Sequence, residues 1–190
     1  NIMDKLESSD NVFKLVIMSR INRLKGIDVI FRFLEWAHNN DVYQQLQLDF
    51  YGQVDEKDKS YFFENIKMYP TVNYKGVLQP DQVQSTLAGY DLFLFPTRYP
   101  GEGCPGAIID AYMASLPVVA SDWRYNAEFV KDGETGFLFK LEEESRFYDI
   151  ILHLLKNKNE LGKMKQNANA FSENFTPESA WKIIKEQLYQ

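Results

Sequence analysis

Two carboxylates, Glu102 and Asp110, bracket a glycine-bearing loop in the stretch Asp91 to Asp122, DLFLFPTRYPGEGCPGAIIDAYMASLPVVASD. An apolar run, Leu92 to Phe95, stops at Pro96. Gly101, Gly103 and Gly106 surround Glu102, and a helix-compatible segment, Ala107 to Ala114, carries Asp110. A buried strand that feeds a glycine loop and then a helix start is suited to binding an anion. The loop lets a ligand approach the backbone, and the helix start offers free N–H groups and the positive end of its dipole. Backbone N–H groups of Gly103, Cys104 and Gly106 can reach such a ligand; Pro105 has none to give. The two acids flank this site without being able to bind an anion, so they suit hydroxyl groups beside it. Far upstream, Arg20 and Lys25 follow another apolar run. A guanidinium and an ammonium there can clamp a diphosphate and stabilise charge that grows on it as it leaves. The plainer alternatives are two solvated cations, a loop acid facing water, and a helix N-terminal acid that favours the dipole by about 0.3–1 kcal/mol.

Other chemistries find little support. Cys104 is the single cysteine. It excludes an internal disulfide and suits a reducing compartment. As a nucleophile it would need a base, and no histidine lies near it in sequence. His38 and His153, the two histidines, sit on predicted helices without Cys or carboxylate neighbours at ligand spacing, so no metal site is expected. No P-loop or Gly-x-Gly-x-x-Gly motif occurs, which argues against an NTPase or a dehydrogenase. The net charge of −6 argues against a nucleic-acid or anionic-membrane surface. No membrane-spanning run or signal peptide is found.

The elements that must position these residues alternate. Strands are predicted over Phe13–Met18, Leu46–Tyr51, Thr71–Tyr74, Asp91–Phe95, Pro117–Ala120 and Gly136–Phe139. Helices are predicted over 27–39, 56–67, 80–88, 107–114, 126–130, 142–156 and 160–171, with a last one from Pro177 capped by Thr176. Residues 1–12 read as a linker or arm, and 13–190 as one domain of ordinary globular composition. The start at Asn1, without an initiator Met, is read as a piece of a longer protein. Alternation of this kind implies an α/β fold, a Rossmann-like, doubly wound, mostly parallel sheet. Ligands in such folds sit beyond the carboxyl ends of the strands, where the strand order reverses. Arg20, Lys25, Glu102 and the residues after Ser121 all leave strand ends of that kind.

The segment Glu102-GCPGAII-Asp110, with its small-residue helix and Pro-Val-Val-Ala-Ser strand, resembles the donor-binding signature of retaining GT-B glycosyltransferases like family 4. Ser19-Arg20-x4-Lys25-Gly26 resembles the diphosphate-binding loop of the same family. The resemblance runs from about Lys14 to Tyr189. It implies one half of a GT-B fold, the C-terminal half that binds a nucleotide sugar, with the N-terminal half that takes the acceptor outside this chain. Arg20 and Lys25 would hold the phosphates, Glu102 the sugar, and Asp110 the ribose. The family usually has Glu at the second acidic position, so Asp110 is one methylene shorter. Cys-Pro-Gly likewise replaces the usual Phe-Gly-Leu. Tyr74 corresponds to the strand end near the nucleobase, where it can stack or simply pack in the core. Glu128 corresponds to a structural residue that ties a loop or caps a helix. The nucleotide sugar would be a substrate, with no cofactor and no metal. The expected setting is glycan or surface-polysaccharide synthesis in the cytoplasm, with any membrane contact through the absent half. A non-catalytic nucleotide-sugar-binding module with the same fold is the alternative. A receiver or flavodoxin-like domain fits less well, since no paired acids follow the first strand.

Overall fold

Each strand of this chain is apolar enough to be covered on both faces, and each is followed by a helix that can do the covering. The computed structural model describes residues 12–188. It has β1 (Phe13–Met18), α1 (Ile27–Asn39), β2 (Leu46–Tyr51), α2 (Lys59–Met68), β3 (Val72–Tyr74), α3 (Val83–Leu87) and β4 (Leu92–Phe95). There follow α4 (Gly106–Met113), β5 (Val118–Ser121), α5 (Asn126–Phe129), β6 (Gly136–Phe139), α6 (Glu144–Lys156), α7 (Lys158–Ser172) and α8 (Pro177–Leu188). The six strands are parallel, in the order β3-β2-β1-β4-β5-β6. This is the doubly wound order, and it reverses between β1 and β4.

The reversal has a physical cause in the two helix faces. The helix α1 buries Ile27, Ile30, Phe31, Leu34 and Ala37 at helical spacing, with Val29 and Phe33 beside them. These join Phe147 and Ile151 of α6 and Phe62 of α2 in one core layer. By contrast, α4 buries Ile108, Ala111 and Tyr112 in a separate layer with Leu87 and Ala168. So the chain leaves β1 toward one face of the sheet and leaves the neighbouring β4 toward the other. A crevice between those two exits follows from the topology.

Boundaries moved by a few residues from those expected. Two predicted helices open with a 3-10 turn, at Glu56–Asp58 and Pro80–Gln82. At the second, Gln79 and Gln82 form a reciprocal capping box around Pro80. Thr71 lies just outside β3, its N–H donating to the Tyr43 hydroxyl at 2.9 Å. Thr176 caps α8 as expected, accepting from the Ser179 N–H at 3.2 Å. The expected arm, save Val12, lies outside the described residues, as do Tyr189 and Gln190.

One buried charged residue interrupts the apolar pattern of β2. Asp49 is buried, and it accepts from the Tyr90 hydroxyl at 2.7 Å and from Asn73 Nδ2 at 2.8 Å. Burial, the hydrogen bond with the Tyr51 hydroxyl at 3.1 Å and the bond to the Asp49 carboxylate push the Tyr90 phenol far above the usual tyrosine range. Among the described residues no helix is long and apolar enough to cross a membrane.

Candidate functional site: a cleft between two strand-end loops

The β1–α1 loop continues the parallel ladder before it turns. Ser19 N–H donates to Tyr51 O and Ile21 N–H to Gln53 O, while Asp55 N–H returns to Ile21 O. Buried Ile21 anchors this stretch. Asn22 then caps a single 3-10 turn, Arg23–Lys25, its Oδ1 accepting from Lys25 N–H at 2.9 Å. Its Nδ2 donates to Asp55 at 2.7 Å, which ties the turn to the β2–α2 loop. Gly26 ends the turn at φ +87°, a conformation that side-chain-bearing residues rarely hold. A Cβ there would lie 2.1 Å from the Pro96 carbonyl oxygen. The close approach lets Arg98 N–H donate to Leu24 O at 2.8 Å. The lysine loop is thereby laid across the end of β4.

The β4–α4 loop supplies the other wall. Thr97 is fully buried, and its hydroxyl donates to Glu102 Oε2 at 2.7 Å. Ser121, at the end of β5, donates to the Thr97 carbonyl and so fixes its backbone. Lys25 Nζ meets the same Glu102 oxygen at 2.7 Å. The two side chains are only 16% and 10% exposed, so this is a largely desolvated pair rather than a surface contact. The Lys25 ammonium also lies 4.8 Å from the Tyr99 ring centroid. Gly106 opens α4, and no side chain caps that helix. Its first turn is nevertheless largely satisfied by its own loop: Gly106 N–H, expected to be free for a ligand, donates to Cys104 O at 3.0 Å, and Ile108 N–H donates to Pro105 O at 2.9 Å, which leaves Ala107 N–H, at the cleft wall, without a backbone partner.

The resulting cleft has a volume of about 480 Å³ and takes in Arg20, Asn22, Lys25, Asp55, Lys57, Tyr99, Glu102, Cys104 and Gly106. Five of the expected positions thus converge: Arg20, Lys25, Glu102, Cys104 and Gly106. Arg20 stands at the rim, 68% exposed, with its Nε 3.7 Å from Asp55. Gly103 lies between Glu102 and Cys104 with open space where a Cβ would be. Arg23, in the same loop, is turned away, its Nε 3.2 Å from Asp58 and its guanidinium over the Tyr61 ring. Among the described residues no group of three or more His, Cys, Asp or Glu is placed to hold a metal ion.

Asp110 lies in a neighbouring hollow of about 510 Å³, with Leu78, Pro80, Asp81, Val83 and Gln84. No hydrogen bond or ion pair from a described residue reaches its carboxylate, and burial raises its pKa. A raised carboxylate pKa means that the ionised form is the costly one in the folded state. Asp110→Asn is therefore expected to raise the unfolding temperature at pH 7. The gain should shrink as pH falls through the carboxylate range, where Asp110 itself becomes neutral. Thermal melts at pH 7 and pH 4 check this.

Two expected placements need correction. Tyr74 reaches neither hollow: its ring packs against Phe62 and Phe63, and its hydroxyl donates to Gly52 O at 3.1 Å. Core packing, the plainer of its two readings, holds it. Glu128 is exposed and makes no side-chain bond with a described residue. The tie expected of it falls to buried Asn126, whose Nδ2 donates to Ser121 O at 3.0 Å. The sequence reading also missed Asn22, Asp55, Thr97 and Tyr99. The Asn-x-x-Lys spacing at Asn22 is a cap signal that could have been found. The others act through partners distant in sequence.

A doubly wound parallel sheet with a cationic loop and an acidic loop facing each other at its switch point defines a Rossmann-like α/β domain. The chain belongs to the glycosyl transferases group 1 family, whose model matches residues 1–171. It is 29% identical to the glycogen synthase of Petrotoga mobilis over an alignment of 159 positions that covers 80% of this chain and 31% of that protein. It is 24% identical to the alpha-monoglucosyldiacylglycerol synthase of Acholeplasma laidlawii over 181 residues, 93% of this chain and 43% of that one. Its fold matches Anabaena Alr3699/HepE, solved in complex with UDP-glucose, with a TM-score of 0.78 and 22% identity. That match covers 99% of this chain and 51% of HepE, so the chain spans about half the length of that GT-B neighbour.

Proposed function

We propose that this chain is the nucleotide-sugar-binding half of a retaining glycosyltransferase, which moves a sugar from a nucleoside diphosphate to an acceptor hydroxyl. The observation that carries the proposal is the 2.7 Å meeting of Lys25 and Glu102 across the cleft. It joins a cation suited to phosphate with an acid suited to sugar hydroxyls, on two loops that the topology brings to one crevice. In this reading Arg20 and Lys25 hold the diphosphate and offset the charge that grows on it as it leaves. Glu102 accepts sugar hydroxyls and orients the ring. Backbone N–H groups of Gly103 and Cys104 contact the phosphate or sugar, while that of Gly106 stays with the Cys104 carbonyl. Asp110, unpartnered in the adjoining hollow, accepts from the ribose. Donor entry exchanges the Lys25–Glu102 pair for contacts to the ligand. The donor is a substrate, and the reaction uses no further cofactor or metal. The rest of the protein supplies the acceptor site, so this chain alone binds nucleotide and transfers essentially nothing.

UDP is the first nucleotide to test, because HepE and other neighbours of the same fold were solved with it. Calorimetric titration with UDP, GDP and ADP is expected to give saturable binding of one of them. Arg20→Ala should weaken that binding by about tenfold, the equivalent of ~1.4 kcal/mol. Equal affinity in the variant would remove Arg20 from the site. Turnover by this chain alone at the rate of an intact enzyme would overturn the division of labour proposed here.

A further inference from the structure

Lys25 and Glu102 are each other's charged partner in the empty cleft, and a phosphate ligand competes for one of them. Lys25 Nζ meets Glu102 Oε2 at 2.7 Å, and Glu102 is its one hydrogen-bond or ion-pair partner among the described residues. Rings stand on other sides of the ammonium, the centroid of Tyr99 at 4.8 Å and that of Phe95 at 5.7 Å. An ammonium with so little open surface turns toward a phosphate at the expense of its bond to the carboxylate.

Glu102 is held where it cannot follow. The same Oε2 accepts from the buried Thr97 hydroxyl at 2.7 Å, and the Glu102 N–H donates to Tyr99 O at 3.1 Å. Ser121 fixes Thr97 in turn through its carbonyl. The backbone under Lys25 is equally set, by the Asn22 cap and by Gly26 against Pro96. The flexible four-carbon stem of Lys25 is the part left to move. A ligand that draws the ammonium away leaves a largely buried carboxylate with one neutral hydroxyl as its side-chain partner among the described residues, and a buried charge stripped of its counter-ion is costly. A free nucleoside diphosphate ends in phosphate oxygens that only accept, so it does nothing to offset that cost. A nucleotide sugar carries hydroxyl donors beside its diphosphate, and these can bond Glu102 in place of the ammonium.

We infer, resting on the donor reading above, that the Lys25–Glu102 pair is a latch that makes phosphate binding conditional on the sugar, so that the site prefers the loaded nucleotide sugar to the spent nucleoside diphosphate. The selectivity resides in Glu102 rather than in the phosphate contacts, which the two ligands share. Re-formation of the pair competes with a nucleotide that has lost its sugar and favours its departure. A pair that merely braced the two loops would affect the melting temperature and leave the ranking of the two ligands unaltered.

Calorimetry on this chain tests the latch with UDP, GDP and ADP against UDP-glucose, GDP-glucose, ADP-glucose and UDP-N-acetylglucosamine. The proteins are the unsubstituted chain, Glu102→Gln, Lys25→Ala and the double variant, with thermal melts to verify folding. In the unsubstituted chain at least one nucleotide sugar is expected to bind about tenfold more tightly than its own nucleotide. Glutamine keeps the shape of Glu102 and can still accept from Thr97. Glu102→Gln should tighten free nucleotide by about tenfold, because the departing lysine leaves no charge behind, and should erase the preference for the sugar. In the Lys25→Ala background the same change should alter nucleotide affinity less than about twofold, since there is no pair to break. The comparison within the unsubstituted chain needs no variant and holds even where one fails to fold. A free nucleotide bound equally by the unsubstituted chain and Glu102→Gln overturns the latch and leaves the donor reading standing. So does a free nucleotide that the unsubstituted chain binds more tightly than every nucleotide sugar. A nucleotide bound by Glu102→Gln alone supports the latch. Binding of none of these ligands by any of the proteins overturns the donor reading and the latch with it.

Discussion

Lys25→Ala is expected to weaken UDP binding by this chain more than Arg20→Ala does, and to reduce transfer by the full-length protein about 10²–10³-fold. The difference between the two cations follows from their surroundings. Arg20 is at the rim and largely solvated, whereas Lys25 is 16% exposed and bonded to Glu102 in the cleft wall. Electrostatic contacts strengthen as water is excluded, so the inner cation matters more. The same substitution leaves Glu102, 10% exposed, with the Thr97 hydroxyl as its remaining side-chain partner among the described residues. An uncompensated carboxylate of that kind costs about 1–3 kcal/mol of stability. Adding Glu102→Gln should restore most of the lost stability without restoring nucleotide affinity. Thermal melts read the first effect and calorimetry the second. UDP binding by Lys25→Ala at the unsubstituted level would remove the lysine from the phosphate site.

Gly26→Ala should give the largest loss of stability of any single methyl addition in the two cleft loops. The left-handed backbone alone costs about 1–2 kcal/mol for alanine. The new Cβ would also stand 2.1 Å from Pro96 O and 2.7 Å from Pro96 Cγ. Backbone on both sides would have to separate, and the total is on the order of 3 kcal/mol or more. At about 2–4 °C per kcal/mol the midpoint should fall by roughly 6–12 °C. Gly103→Ala and Gly106→Ala are the controls, because a Cβ at either meets open space. Their stability should be nearly unchanged, although each adds a methyl group to the cleft wall. A melt of Gly26→Ala that matches theirs would mean that the two loops are not pressed together as described.

The parts of this molecule that were legible in the sequence are those written locally. The period of Ile27, Ile30, Phe31, Leu34 and Ala37 marks α1, and the unbroken apolar run Leu92–Phe95 marks β4, because one face or both faces of those elements must be covered. Their alternation fixes the doubly wound class, which in turn brings the loops of Lys25 and Glu102 to one crevice. The 3-10 openings at Glu56 and Pro80 were not legible, since an α-helix and a 3-10 turn share the same local signals. The supports of the site were hidden for a different reason. Thr97 looks like any loop threonine until the fold brings Ser121 to its carbonyl. Tyr74 was ambiguous because a strand-end tyrosine can face a ligand or the core, and only the positions of Phe62 and Phe63 decide it.

The position of Cys104 makes this chain its own reporter. It is the sole cysteine among 190 residues, it is exposed, and it lines the cleft one residue from Gly103 and two from Glu102. A maleimide fluorophore would attach at a single point, with no cysteine to remove first. Its emission would follow ligand arrival in real time, and the rate of attachment itself would measure how far a bound ligand shields the thiol.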